Sequence, residues 1–344
     1  MKTTISKSKY LNGLQCSKML WFHYNDPGAF PPVDAATQAI FDTGHLAGDL
    51  AKQLHPDGIE VPWSRDLAET VAGTRALLPQ RQPIFEASFQ EAGCYCRADL
   101  LVPADDDAWD LYEVKSSTQV KPVNVADVAF QTQVIETAGL KLNRLYLTHI
   151  DTSYVREGEI DPDGLFRSED ITAAARALQH EVAATVARFQ TVIGGEQPDV
   201  AIGTHCSDPY DCDLWDQCSA FLPEFPVTQL YRARKRKTFE LIGQGVTALT
   251  DVPPTELSAA QLVQQQVVAS GQTHVEQEPI RAWLDGLEYP LYCFDFETMN
   301  PTVPLFDGTR PFQQIPFQYS LHILQAEDAD PRHVEFLAEA ATDP

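Results

Sequence analysis

The sequence predicts an α/β protein, a mixed sheet with helices packed on it. Two features carry this. Residues 16–78 show the helical spacing of apolar side chains, and between residues 83 and 116 the period changes to the alternation of strands. A helix-patterned segment at 125–138 then separates those strands from a further apolar run, LYLTHI, at 145–150. Helices, three strands, a helix and a strand, in that order, make an α/β unit. With 344 residues, 44% hydrophobic and 10% aromatic, the chain has material for a large core, and disorder throughout is excluded.

Each element has a local reason. Helices are expected at 16–24 and 35–54, on either side of a loop holding Pro27, Pro31 and Pro32. Another is expected at 66–78, with Asp66 placed to cap its N-terminal end. Strands follow at 83–89, 94–102 and 109–116, the last two joined by the polar turn PADDDA. The helix at 125–138 closes on Gly139. A long Ala-rich helix at 171–193 ends on Gly194 and Gly195. Residues 203–218 read as a loop and residues 232–282 as short helices broken by Pro253 and Pro254. A new apolar strand, PLYCFDFET, opens at Pro290. About 55 residues remain from its start, fewer than the ~100–150 of a typical domain, so this piece is expected to be the first part of a longer one.

A net charge of −24 opposes binding to a polyanion, which depends on Lys and Arg displacing counterions. Nucleic-acid chemistry would have to rest on a local site and on metal ions, whose charge a residue count omits. The dense basic run Arg232, Arg234, Lys235, Arg236 and Lys237 is the candidate phosphate-binding face; a solvated helix start explains it equally well. The N-terminus has lysines but no apolar h-region, and no stretch nears the ~18 apolar residues of a membrane span. Seven cysteines in such a chain point to the reducing cytoplasm, where clustered thiols are more often metal ligands than disulfides.

The first candidate site lies in CYCRADLLVPADDDAWDLYEVKSS. A hairpin centred near Asp106 sets Asp99 opposite Glu113, and facing residues in such a pair have Cβ atoms ~5 Å apart. Two facing carboxylates repel unless a cation sits between them, and two carboxylates with waters is a usual way to hold Mg²⁺. Lys115, two residues on, points to the same face, where an ammonium can orient a water or offset charge developing on a phosphate. This points to metal-assisted phosphodiester hydrolysis. A surface hairpin with solvated charges shows the same short pattern. Lys115→Ala is expected to abolish cleavage and leave the fold intact. In the next helix Gln131 sits on the apolar stripe of Val128 and Ile135, so it needs polar partners, which a catalytic pocket or the edge of the core can supply. Glu86 is a further strand candidate, and His45, between Gly44 and Gly48, a further helix candidate.

The second candidate site is HCSDPYDCDLWDQC, with Cys206, Cys212 and Cys218 at C-x5-C-x5-C, together with the distant Cys16. Four thiolates suit an iron–sulfur cluster or Zn²⁺, and the long gaps favour the cluster. Such a site would staple the chain. Cys94, Cys96 and Cys293 read as small core residues.

Taken together, LQCSKMLW around Cys16, the strands RADLL and YEVKSS, the helix AFQTQV and the loop HCSDPYDC resemble the iron–sulfur RecB-like nucleases of the PD-(D/E)XK kind. That group includes the AddB nuclease domain and the CRISPR-adaptation nucleases with RecB-type motifs. The resemblance spans residues 1–222. It implies a restriction-endonuclease-like core in which Asp99 and Glu113 bind Mg²⁺ or Mn²⁺, Lys115 is catalytic and Gln131 supports the site. Cys16, Cys206, Cys212 and Cys218 would hold a [4Fe–4S] cluster. Where the family carries Gly-x-x-x-His on the second helix, this chain has Gly44-x-x-x-Gly48 with its histidine at 45, so a metal ligand is missing or displaced.

Past a helical connector at 223–288, residues 289–344 resemble the start of a DEDD-type, RNase H-like exonuclease domain. Asp295 and Glu297 stand there as its first metal-binding pair, and the domain is truncated. The combination resembles an uncharacterised bacterial family of predicted nucleases. It implies a metal-dependent DNA nuclease, acting on ends or single strands in repair or defence, with nucleic acid as partner and DNA ahead of RNA. The alternative is a catalytically inactive iron–sulfur module that binds nucleic acid, with the chemistry left to the DEDD domain.

Overall fold

The computed structural model describes residues 4–339. Within them the chain divides into two compact units: residues up to Asp199 with Thr298–Ile315, and Val200–Glu297 with the residues from Pro316 on.

The first unit opens with a two-residue strand, β1 (Ile5–Ser6), and an unexpected helix, α1 (Lys7–Gln15), capped by the Ser6 hydroxyl. Cys16 ends α1 and leads into α2 (Ser17–Asn25). Helix α3 (Ala35–Lys52) starts on Asp34, which accepts from Thr37 N at 2.7 Å. A short strand, β2 (Ile59–Glu60), precedes α4 (Leu67–Leu77), capped as expected by Asp66, which accepts from Ala68 N at 2.9 Å. Next come β3 (Ile84–Glu91), β4 (Cys94–Pro103) and β5 (Trp109–Lys115). Between the last two, Asp106 and Asp107 hold φ of 53° and 57°, a left-handed turn that Asp tolerates better than most residues. Helix α5 (Pro122–Thr137) begins before residue 125 because Pro122 suits a first turn and Asn124 Oδ1 takes the Lys121 amide at 2.9 Å. The unit continues with β6 (Leu142–Ile150), the one-turn α6 (Pro162–Leu165), β7 (Phe166–Asp170) and α7 (Thr172–Gly194).

These strands form one mixed sheet in the order β2-β3-β4-β5-β6-β7, with β1 joined alongside β4. Pairs β3–β4, β4–β5 and β6–β7 are antiparallel, whereas β5–β6, β2–β3 and β1–β4 are parallel. The mixed α/β expectation holds. Strands β1, β2 and β7 escaped it because two to five residues are too few to display a period.

Each sheet face carries its own core. One buries Ala98, Leu101, Trp109, Leu111 and Leu147 under α5 and α7, through Val128, Phe130, Ile135, Val182 and Phe189. The other buries Leu100, Val114 and Ile150 with Ala47 and Ala51 of α3. Helix α5 is buried on several sides, since Tyr10 of α1 stacks on its Phe130 at 4.6 Å while α7 also packs on it. A helix buried this way presents apolar residues nearly all round, so any polar group on it must be paired internally.

The second unit holds α8 (Trp215–Ser219), α9 (Lys235–Gly243), α10 (Ala259–Ser270) and α11 (Gln277–Asp285), with a small core of Val227, Leu241 and Val252. Strands β8 (Leu291–Met299), β9 (Ile315–Leu324) and β10 (Arg332–Leu337) make a separate sheet in the order β10-β9-β8, with β9 and β10 antiparallel. Tyr292, Phe294 and Phe296 of β8 are each more than half exposed. Cys293, expected in a core, is exposed as well, because side chains on both faces of this part of β8 remain open. Among the described residues no helix is long and apolar enough to cross a membrane.

Candidate active site

The site forms where the β4–β5 ladder stops. Leu100 faces Tyr112 and Leu101 faces Leu111, the register of a hairpin centred on Asp106. One step further, Asp99 and Glu113 fall opposite each other, but the Asp99 side chain replaces the ladder there and accepts from Val114 N at 2.7 Å. On the other side of β4 the pairing with β3 also skips a position, between Phe85–Leu100 and Ala87–Ala98. The skipped β3 residue is Glu86, whose φ of 57° is left-handed inside a strand. That conformation costs about 1–3 kcal/mol for a residue with a Cβ and recurs at functional sites. It also switches strand faces, so that Ala87 and Phe89 join Ile84 in the core beneath α5. The Glu86 carboxylate itself pairs with Arg97 Nε at 2.9 Å.

Around this break the structure gathers six polar side chains. Glu113 is fully buried and Asp127, on α5, is 1% exposed. Gln131, one turn after Asp127, donates through Nε2 to Glu113 Oε2 at 2.7 Å and to Asp127 Oδ1 at 2.9 Å. Lys115 Nζ binds Glu113 Oε1 at 2.5 Å and Asp127 Oδ2 at 2.9 Å. Lys7, the first residue of α1, lies 2.7 Å from Glu113 Oε1 and 3.9 Å from Asp99 Oδ1. Gln131 Oε1 is buried and has no hydrogen-bond partner. With its amide nitrogen committed to two carboxylates, that oxygen cannot exchange places with it without facing both anions.

Electrostatics separates the two facing carboxyls. Burial and the charge of Glu113 push Asp99 up to about 7, against the opposing pull of Lys7 and Lys115. Burial opposes the Glu113 anion too, but there Lys115, Lys7 and the Gln131 amide prevail and hold the carboxyl well below its ordinary range. Burial likewise disfavours the Lys7 and Lys115 ammoniums, yet the surrounding carboxylates raise both above the usual lysine value.

These residues fit a divalent cation. Two carboxylates on adjacent strands are already bridged by a cation, the Lys7 ammonium, and a buried acceptor beside them lacks a donor. Mg²⁺ is commonly held by one or two carboxylates with waters completing its shell. Asp99 and Glu113 would hold such an ion, which would supply Lewis acidity toward a phosphoryl oxygen. Lys115 already carries two carboxylate partners, so its loss would leave Glu113 and Asp127 under-compensated. Lys115→Ala, expected to leave the fold intact, would by this pairing lower its stability.

Asp99, Glu113, Lys115 and Gln131 are thus brought together; His45 is not. It is exposed on α3, whose Ala47 and Ala51 pack on the Val114 face of the sheet rather than the face of Leu111 and Glu113. Asp295 and Glu297 are exposed on β8 in the second unit. Cys206, Cys212 and Cys218 belong to the second unit and Cys16 to the first. Among the described residues no three or more His, Cys, Asp or Glu side chains are grouped so as to hold a metal ion. Cys206 and Cys212 instead help to bound a cavity of about 410 Å³ with Trp215, Lys235 and Phe239. Cys94 and Cys96 are buried in the sheet core as expected. The basic run is partly neutralised, with Lys235 on Asp211, Arg236 on Glu240 and Lys237 on Glu256.

Sequence reasoning missed Lys7 and Asp127. Asp127 was legible, four residues before Gln131 on the same helix face. Lys7 was not, because its position depends on β1 docking beside β4, with Ile5 facing Cys94 and Ser6 facing Tyr95.

Comparisons with known proteins add little to this geometry. Residues 292–344 match the family described as "Domain of unknown function (DUF2779)". No curated protein matches the chain. Among solved structures, one from Eubacterium rectale described as a "Putative exonuclease" is similar at 14% identity and a TM-score of 0.35, covering 68% of this chain and 94% of that one. At that TM-score nothing about the chemistry of this chain follows from it.

Proposed function

We propose that the first unit is a metal-dependent hydrolase of phosphodiester bonds acting on nucleic acid, with DNA as the expected substrate. The observation that carries this is the pair Asp99 and Glu113, set on adjacent strands where the ladder breaks and bridged by a cation. Asp99 and Glu113 hold the metal. Lys115, beside Glu113, orients the attacking water or offsets charge on the phosphate. Gln131 and Asp127 fix Glu113 and Lys115 in place, so the machinery does not reorganise during the reaction. The test is incubation of the protein with labelled single- and double-stranded DNA, and with RNA, in Mg²⁺, Mn²⁺ or EDTA. Cleavage that EDTA stops and that Glu113→Gln removes is expected.

A second reading has one observation in its favour. His45 is exposed on the helix that covers the other sheet face, so the ligand that the resemblance expects on that helix does not reach Glu113. In that reading the chain binds nucleic acid without cutting it. Metal-independent binding with no cleavage in any of the three conditions would favour it. The iron–sulfur cluster is a separate proposal, resting on the resemblance of the cysteine motif, and no step of the chemistry passes through it.

A further inference from the structure

Lys7 faces Asp99 and Glu113 from the start of α1. Its ammonium sits 2.7 Å from Glu113 Oε1 and 3.9 Å from Asp99 Oδ1, the two carboxylates assigned to the metal. Its backbone is fixed from two sides, by β1 against β4 and by Ser6 capping α1, with Ile5 N bonded to Gly93 O at 2.9 Å. The side chain is less confined. It is 25% exposed, whereas the Glu113 side chain it touches is 1% exposed, so Lys7 enters from the open side of the site. Charge sharpens the point. Lys7 and Lys115 bring two positive charges to Asp99, Glu113 and Asp127, and a divalent ion would add two more at the oxygens that Lys7 already occupies. Lys115 Nζ shares Glu113 Oε1, but Lys7 Nζ lies between Asp99 Oδ1 and Glu113 Oε1, the place the metal would take.

Resting on the metal-site reading above, we propose that Lys7 is a tethered counter-ion that competes with the divalent metal for Asp99 and Glu113. The metal-free site is then closed by the chain's own cation, which stands between the facing carboxylates of Asp99 and Glu113. Metal loading drives the Lys7 side chain outward, and the strength of its hold sets the metal concentration at which the site fills.

The test is direct binding of Mn²⁺, followed by electron paramagnetic resonance, to the intact wild-type chain and to Lys7→Met, Lys7→Arg and Glu113→Gln. Lys7→Met should bind Mn²⁺ at least tenfold more tightly than wild type, Lys7→Arg should stay near wild type, and Glu113→Gln should bind weakly. A second measurement needs no variant: acetylation of Lys7 by a water-soluble reagent, read by peptide mass spectrometry, should rise when Mn²⁺ saturates the protein. Equal or weaker binding by a folded Lys7→Met, or Lys7 labelling unchanged at saturating Mn²⁺, would overturn the competition while leaving the metal site standing. If neither wild type nor Lys7→Met bound Mn²⁺, the metal-site reading itself would fall, and this inference with it.

Discussion

Gln131 Nε2 stands 2.7 Å from Glu113 Oε2, fixing the one fully buried carboxylate of the site from a helix that packs over the sheet. The same nitrogen reaches Asp127 Oδ1 at 2.9 Å. One amide therefore holds two buried anions apart while binding both. Gln131→Leu removes that donor without adding charge. It should destabilise the protein by about 2–4 kcal/mol, within the range for leaving buried charged acceptors unpaired. A lower urea midpoint with an unchanged slope checks this; a midpoint within error of wild type would mean that water replaces the amide.

Lys115→Ala should destabilise as well as inactivate. It strips an ammonium from two carboxylates that are about 1% exposed in their side chains, a change of the kind that costs about 3–5 kcal/mol. Thermal unfolding of Lys115→Ala against Lys115→Arg separates the effects. The arginine variant should recover much of the stability through its charge, yet not the cleavage, because a planar fork does not replace a point charge. Wild-type stability in Lys115→Ala would contradict the pairing.

His23 gives a pH signature away from the site. It lies between Lys9 Nζ, 2.6 Å from Nδ1, and Asn12 Nδ2, 2.7 Å from Nε2, and stacks on Phe30 at 4.0 Å. Burial, then the Lys9 charge, lowers its pKa to about 4. The unfolded chain binds the proton near pH 6.5 and the folded chain resists it until about 4. This contribution to stability is therefore complete above about 6.5 and lost as the pH falls toward 4. Urea midpoints between pH 7.5 and 5 should fall more steeply for wild type than for His23→Gln. Parallel curves would show that His23 takes no part.

The cysteine motif makes its own prediction. If Cys16, Cys206, Cys212 and Cys218 carry iron and sulfide, protein purified without oxygen should be brown, with broad visible absorbance, and Cys212→Ser should lose both colour and stability. A colourless protein with stoichiometric zinc would reassign the thiols.

Much of the first unit was legible because its long elements repeat their periods over many residues. The register of strands β4 and β5 followed from the turn between them, and Asp66 and Gly139 mark the helix ends where expected. Asp99, Glu113, Lys115 and Gln131 followed from that register and from one polar residue on an apolar stripe. Lys7 did not, since it reaches the site through a two-residue strand that carries no period. Nor did the strand break, because a glutamate at φ 57° leaves no trace in composition. His45 was drawn in by motif spacing, and helix rotation turns it to solvent. Cys293 looked like a core residue from its apolar neighbours, yet that part of β8 is open on both sides.

Glu113, with Asp99, is proposed to hold the metal for phosphodiester cleavage. The most direct measurement compares wild type and Glu113→Gln on end-labelled single-stranded DNA in Mn²⁺, at a temperature where circular dichroism shows both folded. Wild type should cut, EDTA should stop it, and Glu113→Gln should cut at least a hundredfold more slowly. A folded Glu113→Gln that cuts at the wild-type rate, or a wild-type protein whose cutting ignores EDTA, would rule out a metal held by Glu113.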